Sequence, residues 1–151
     1  MFPLMSSLDP EARPAEIDGL PSGRWVGYYV YAHYPSRHRM DLRLEISPDR
    51  ISGTGIDPVG RFMISGRLRE DRSLNWVKTY FGRHDVLYAG FADHNGIWGT
   101  WEIPQVSTGG FRIWPAQWGE GFARKMEEKA FTEYEDSVPD AVAGERVLDR
   151  V

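Results

Sequence analysis

In the segment Trp76-Val77-Lys78-Thr79-Tyr80 a lone lysine stands between two aromatic residues of the same parity. An extended chain puts alternate side chains on one side, so Trp76, Lys78 and Tyr80 share a face. An ammonium there must find a carboxylate or give up its proton, because an unpaired buried charge costs several kcal/mol. Asp57, at the end of an earlier strand-like segment, is one candidate partner, and the tyrosine hydroxyls, such as those of Tyr80 and Tyr88, could complete the network. His84 falls on the same expected face. Three uses fit these residue types. The first is a polar cluster near a barrel mouth, with the lysine reaching towards water. The second is a small-molecule pocket, anion-binding through Lys78. The third is an acid–base pair of Lys78 with Tyr80 or Tyr88. No motif specifies a reaction, so no residue is assigned a catalytic role.

Other reactive residue types are scattered. His33, His38, His84 and His94 do not fall at metal-ligand spacing on one element, so neither a metal nor a cofactor is expected. Asp41 and Glu45 read as outward, and Glu127 and Glu128 belong to a solvated helix face, so no carboxylate pair for glycoside chemistry emerges. Ser52-Gly53-Thr54-Gly55 is glycine-rich but follows no strand-to-helix step, which a phosphate cradle requires.

The elements that must position these residues read as strands. Arg24–Tyr31 places Trp25, Gly27, Tyr29 and Tyr31 on one face. In 38–46, Met40, Leu42, Leu44 and Ile46 alternate with Arg39, Asp41, Arg43 and Glu45. The same period recurs over 50–56, 61–68, 73–81, 84–91 and 97–103, and in a last strand carrying Phe111 and Ile113. Ser47-Pro48-Asp49, Asp57-Pro58-Val59-Gly60 and Asp93-His94-Asn95-Gly96 are turn chemistry between them. No segment of crossover-helix length separates any pair, so consecutive hairpins are predicted, and closure into a barrel would remove exposed edges. The fold class is therefore all-β: an eight-stranded antiparallel up-and-down barrel with one C-terminal α-helix. The spacing of Phe122, Met126, Ala130 and Tyr134 predicts that helix over 120–135. Residues 1–22, with four prolines, read as a flexible arm, 23–135 as the barrel domain, and 136–151 as a flexible acidic tail.

Composition supports the same class. The chain has 151 residues, 16 glycines, 6 tryptophans and 13% aromatic residues, a mixture typical of small β-proteins. A net charge of −4 argues against a nucleic-acid or acidic-membrane partner, which would need a basic face. The absence of cysteine suits a reducing compartment, and the expected location is cytoplasmic.

Gly23-Arg24-Trp25 at the start of the first strand resembles the G-x-W element of the calycins, the lipocalin and avidin-like meander barrels. Leu44–Gly55 resembles the second avidin-type hairpin, Ile64-Ser65-Gly66-Arg67 the end of strand four, and Trp76-Val77-Lys78-Thr79-Tyr80 the aromatic strand five. Tyr88-Ala89-Gly90 and Ile97-Trp98-Gly99-Thr100-Trp101 resemble strands six and seven, so the likeness covers about residues 23–115. It implies a barrel whose G-x-W tryptophan plugs one end under a late-strand basic residue. Arg112 is the candidate for that role, although strict alternation points it outward. The likeness does not carry a ligand across. Gly27 stands where biotin-binding avidins have an asparagine, no late-strand aspartate matches theirs, and the T-D-Y element of lipocalins is absent.

With Trp25, Leu42, Phe62, Trp76, Tyr88, Trp101 and Phe111 inward, the exterior is lopsided. Val26, Tyr28, Val30, Leu87, Ala89, Phe91, Trp98 and Trp114 point outward from neighbouring strands and would form one apolar patch. The C-terminal helix is expected to cover part of it and a second copy of the chain the rest. The leading functional reading is a module binding a small molecule at the barrel mouth, through Asp57, Lys78, Tyr80, His84 and Tyr88 on the polar side and Trp76 and Trp101 on the aromatic side. The alternatives are a packed interaction module working through the Val26, Tyr28, Leu87, Trp98 and Trp114 patch, and an enzyme using the lysine–tyrosine pair.

Overall fold

The alternation is realised as eight strands: β1 (Gly23–Tyr31), β2 (His38–Ile46), β3 (Arg50–Asp57), β4 (Gly60–Leu68), β5 (Ser73–Tyr80), β6 (Asp85–Asp93), β7 (Gly96–Ile103) and β8 (Ser107–Pro115). The structure is a computed structural model and describes residues 20–34, 36–126 and 128. Each strand pairs antiparallel with its successor, and β8 pairs with β1 in the register Gly27↔Ile113 and Tyr29↔Phe111, which closes the barrel. Among the described residues no strand edge is left open. The closed up-and-down barrel is consistent with the calycin likeness.

The two ends differ. At the pole where β1 begins, Leu20 and Pro21 are buried. The indole Nε1 of Trp25 donates to the Pro21 carbonyl at 2.8 Å, and Ser22 Oγ accepts from the Ile46 amide at 2.8 Å. Trp25, Leu44, Ile51, Leu74, Ile97 and Ile113 fill the interior, and the entering chain seals this pole. Arg112 does not reach it. As strict alternation predicts, its side chain lies on the outer face, with Nη1 3.7 Å from Met126 Sδ and the guanidinium 5.8 Å from the Trp98 ring centroid.

After β8 a 3₁₀ turn (Ala116–Trp118) reverses the chain into helix α1, residues 120–126. Phe122, Ala123 and Met126 pack on Val26, Tyr28, Val30 and Trp114 of the outer wall, and the Tyr28 hydroxyl donates to the Met126 carbonyl at 3.2 Å. The helix continues at residue 128. Its expected extension to 135, the arm before residue 20 and the tail from 136 lie outside the described residues.

Candidate functional site

Asp57 closes β3 and opens the turn to β4. One carboxylate oxygen, Oδ1, accepts the amides of Val59 at 2.8 Å and Gly60 at 3.3 Å, which is what an aspartate at a tight turn does. Its other oxygen, Oδ2, faces the barrel axis. It accepts from Lys78 Nζ at 2.6 Å and from the Tyr80 hydroxyl at 2.6 Å. Lys78 also donates to the Tyr88 hydroxyl at 3.1 Å, with Met40 Sδ at 3.5 Å. Lys78 is 1% exposed and Asp57 8%, so the pair is withdrawn from water and supported by the further hydrogen bonds that a buried ion pair needs. The ring centroids of Phe62, Tyr29, Tyr80 and Tyr88 lie 4.3, 4.9, 4.9 and 5.3 Å from Nζ, a cage of cation–π contacts.

Burial pushes the Lys78 ammonium down to about 8, with the Asp57 charge and hydrogen bond opposing that shift. Burial also raises the Tyr29, Tyr80 and Tyr88 hydroxyls well above the usual phenol range, and the Asp57 carboxylate adds to the shift. Near neutral pH these phenols keep their protons and act as hydrogen-bonding groups, not as bases. On the tyrosine side an acid–base pair is therefore poorly poised, whereas the lysine lies nearer the range such chemistry uses.

Above this cluster the barrel opens into a cavity of about 210 Å³ at the pole opposite Trp25. Tyr29, Tyr31, Val59, Tyr80, His84, Val86, Tyr88, Trp101, Ile103, Val106 and Ser107 line it. Of the residues picked from the sequence, Tyr80, His84, Tyr88 and Trp101 are therefore on the wall. Asp57, Lys78 and Trp76 are not. They form the layer beneath, Trp76 stacked on Tyr88 with centroids 5.3 Å apart, and Lys78 and Asp57 bonded to the far ends of Tyr88 and Tyr80. His84 was expected on an inner strand face. It instead lies in the β5–β6 turn, exposed, with its ring 5.3 Å from that of Tyr80 at the rim.

Trp101 is held from two sides. Its Nε1 donates to the Val30 carbonyl at 3.0 Å, and its ring lies on Gly109. A β-carbon at Gly109 would sit 2.7 Å from Trp101 Cζ2 and Nε1, so only glycine lets the indole take this position. Gly27 is equally constrained, because a β-carbon there would meet Ile113 Cα at 2.6 Å. The position that carries an asparagine in biotin-binding avidins has no room for a side chain here. Tyr29 stacks on His38 with centroids 4.9 Å apart and meets Trp101 edge-on at 6.0 Å.

The parity of Trp25 already put Tyr29 and Tyr31 inward, and that of Tyr88 did the same for Val86. Nothing in the sequence pointed to Ser107. It is 8% exposed, its Oγ is buried, and that oxygen has no hydrogen-bond partner among the described residues.

On the outer wall α1 buries Tyr28 and Trp114 and packs on Val26. Trp98 is half-buried and donates to Asp93 Oδ2 at 3.1 Å, whereas Leu87 and Phe91 remain 43% and 48% exposed. The expected patch is thus reduced to a strip beside Trp98. A second, wider depression of about 440 Å³ runs along the exterior between Arg24, Asp41, Arg43, Arg61 and Phe81. Most of these side chains are exposed, so this groove is the more solvated of the two. Among the described residues no three of His, Asp or Glu approach closely enough to hold a metal ion. Comparison of the chain with protein-family models, with curated proteins and with solved structures gave no match.

Proposed function

We propose that the protein is a non-enzymatic binding module whose barrel mouth takes up one small molecule. The observation that carries this reading is a cavity of about 210 Å³ at one barrel pole, walled by Tyr29, Tyr31, Tyr80, Tyr88 and Trp101 above the buried Asp57–Lys78 pair. Aromatic walls with a few convergent polar groups are the usual make-up of ligand sites. The calycin likeness supports the reading at the level of architecture, since the G-x-W tryptophan closes one barrel end and the cavity lies at the other. It does not name a guest.

The test is to fill the mouth. Val86 is buried and lines the cavity, so Val86→Phe places a ring in the space a ligand would use. In a screen of ring-sized molecules by saturation-transfer NMR, wild type should give hits that Val86→Phe loses while keeping its β-sheet circular dichroism. Hits of undiminished intensity on the filled variant would remove the mouth as the site.

A further inference from the structure

We infer that the arginine-lined depression on the outer face of β1–β4 is a docking surface, and that its occupant is the chain's own acidic segment 133–140, which lies beyond the described residues.

The depression stands out from the molecule around it. The chain carries a net charge of −4, yet Arg24, Arg43 and Arg61 line one hollow of about 440 Å³. Arg24 and Arg43 are register partners on β1 and β2, and like charges directly opposite each other repel. An anion between them relieves that repulsion. Asp41, the carboxylate in the hollow, is already engaged. Its two oxygens accept Nε and Nη2 of Arg39 at 3.1 Å each, and Arg24 Nη2 stands 3.7 Å from Oδ1. Among the described residues Arg43 and Arg61 have no ion pair. A guanidinium offers a fork of donors that matches a carboxylate. Apolar surface lies beside these forks: Ile56, the register partner of Arg61, is 48% exposed and Phe81 56%. The fitting occupant therefore intersperses carboxylates with apolar side chains.

The chain holds such a segment. Glu133-Tyr134-Glu135-Asp136-Ser137-Val138-Pro139-Asp140 has four carboxylates and no lysine or arginine, with Tyr134 and Val138 among them. The acidic stretch before the barrel, from Asp9 to Asp18, fits less well because Arg13 interrupts it. Position agrees with composition. Helix α1 packs on Val26, and its Met126 carbonyl accepts from Tyr28. Val26 and Tyr28 are the register partners of Asp41 and Arg39, so the helix lies along the β1 border of the hollow. Glu133 is seven residues past Met126, an extended reach of up to about 23 Å. Three strand spacings, about 14 Å, separate β1 from β4. Exposed ion pairs are individually weak and screened by salt, so a separate peptide would be held loosely. Tethering offsets this, because a short linker gives an effective concentration on the order of millimolar.

The chain has no cysteine, so Ser137→Cys provides a single attachment point for a nitroxide. In the full chain at pH 7 and low salt, paramagnetic broadening should remove more than half of the amide signal of Thr54, Ile56, Arg61 and Phe81. Leu87 and Ala89, on β6, should keep theirs. Arg43→Gln combined with Arg61→Gln, both at exposed positions, should restore the lost signal at least twofold. Salt at about 1 M, which screens charges beyond about 3 Å, should do the same. Undiminished signals in the hollow, or equal losses on β6, would overturn the docking. Losses that neither the arginine substitutions nor salt relieves would overturn the role of the guanidiniums. The nitroxide chain is also mixed, without isotope, with isotope-labelled wild type. Losses of the same size in that mixture would place the segment on a second copy and overturn docking within one chain.

Discussion

Asp57 divides its two oxygens between backbone and side chains, and that division fixes which partner of the ion pair is harder to lose. Without Lys78 the carboxylate keeps the Val59 and Gly60 amides and the Tyr80 hydroxyl. Without Asp57 the ammonium keeps the Tyr88 oxygen, a thioether and a set of rings. Breaking a buried pair by removing one partner typically costs about 3–5 kcal/mol. Asp57→Leu should fall in that range and Lys78→Met below it, at about 1–3 kcal/mol. In urea unfolding at pH 7 the double variant should cost less than the sum of the two. A larger loss for Lys78→Met than for Asp57→Leu would contradict the described hydrogen bonds. The partnership itself was legible in the sequence, since Lys78 shared parity with Trp76 and Tyr80 and a buried ammonium demands a carboxylate. Which of these residues touch the cavity was not, because that depends on how far each side chain reaches along the axis, and parity is blind to it.

At the level of elements, β8 explains why the mouth was incompletely read. Ser107-Thr108-Gly109-Gly110 has low strand propensity, and only Phe111 and Ile113 declare the strand. Pairing on both sides overrides this: Gly109 faces Trp101 in β7 and Tyr31 in β1, and the strand starts at Ser107. The helix is a contrasting case. Its apolar spacing was legible and so was the wall it covers, since Tyr28, Val30 and Trp114 needed a cover that an open strand face could not supply. Phe122 stands in the middle of that cover, 6.2 Å from the Trp114 ring and 4.9 Å from Trp118. Phe122→Asp should lower stability by about 1–3 kcal/mol and raise binding of a hydrophobic dye as the wall is uncovered. Dye fluorescence unchanged from wild type would show that α1 does not shield that face.

For the whole molecule, the buried ionisable groups make stability depend on pH in two opposing ways. Lys78 carries its proton below about 8 in the folded state, whereas in the unfolded chain it does so up to its ordinary value of 10.5. Between these limits the unfolded chain binds more protons, so raising the pH favours the fold. The tyrosines act the other way. Tyr29, Tyr80 and Tyr88 hold their protons in the fold above pH 10, where the unfolded chain releases them, so stability falls there. The melting temperature should climb from pH 8 towards 10 and then drop, and Lys78→Met should flatten the climb. A steady decline through that window in wild type would refute the assignment. The barrel as a whole was the most legible feature of the sequence, because a two-residue period with turn chemistry at each interruption leaves few other solutions.

The seal formed by Leu20, Pro21 and Trp25 has a kinetic corollary. With one pole shut by the described residues, a guest at the proposed site would have a single portal and would leave by the way it entered. The outermost atom of such a molecule would stay nearest that portal. A tether attached there, to a resin or a dye, would trail into solvent without disturbing the buried end, so such conjugates should serve as affinity reagents for this protein.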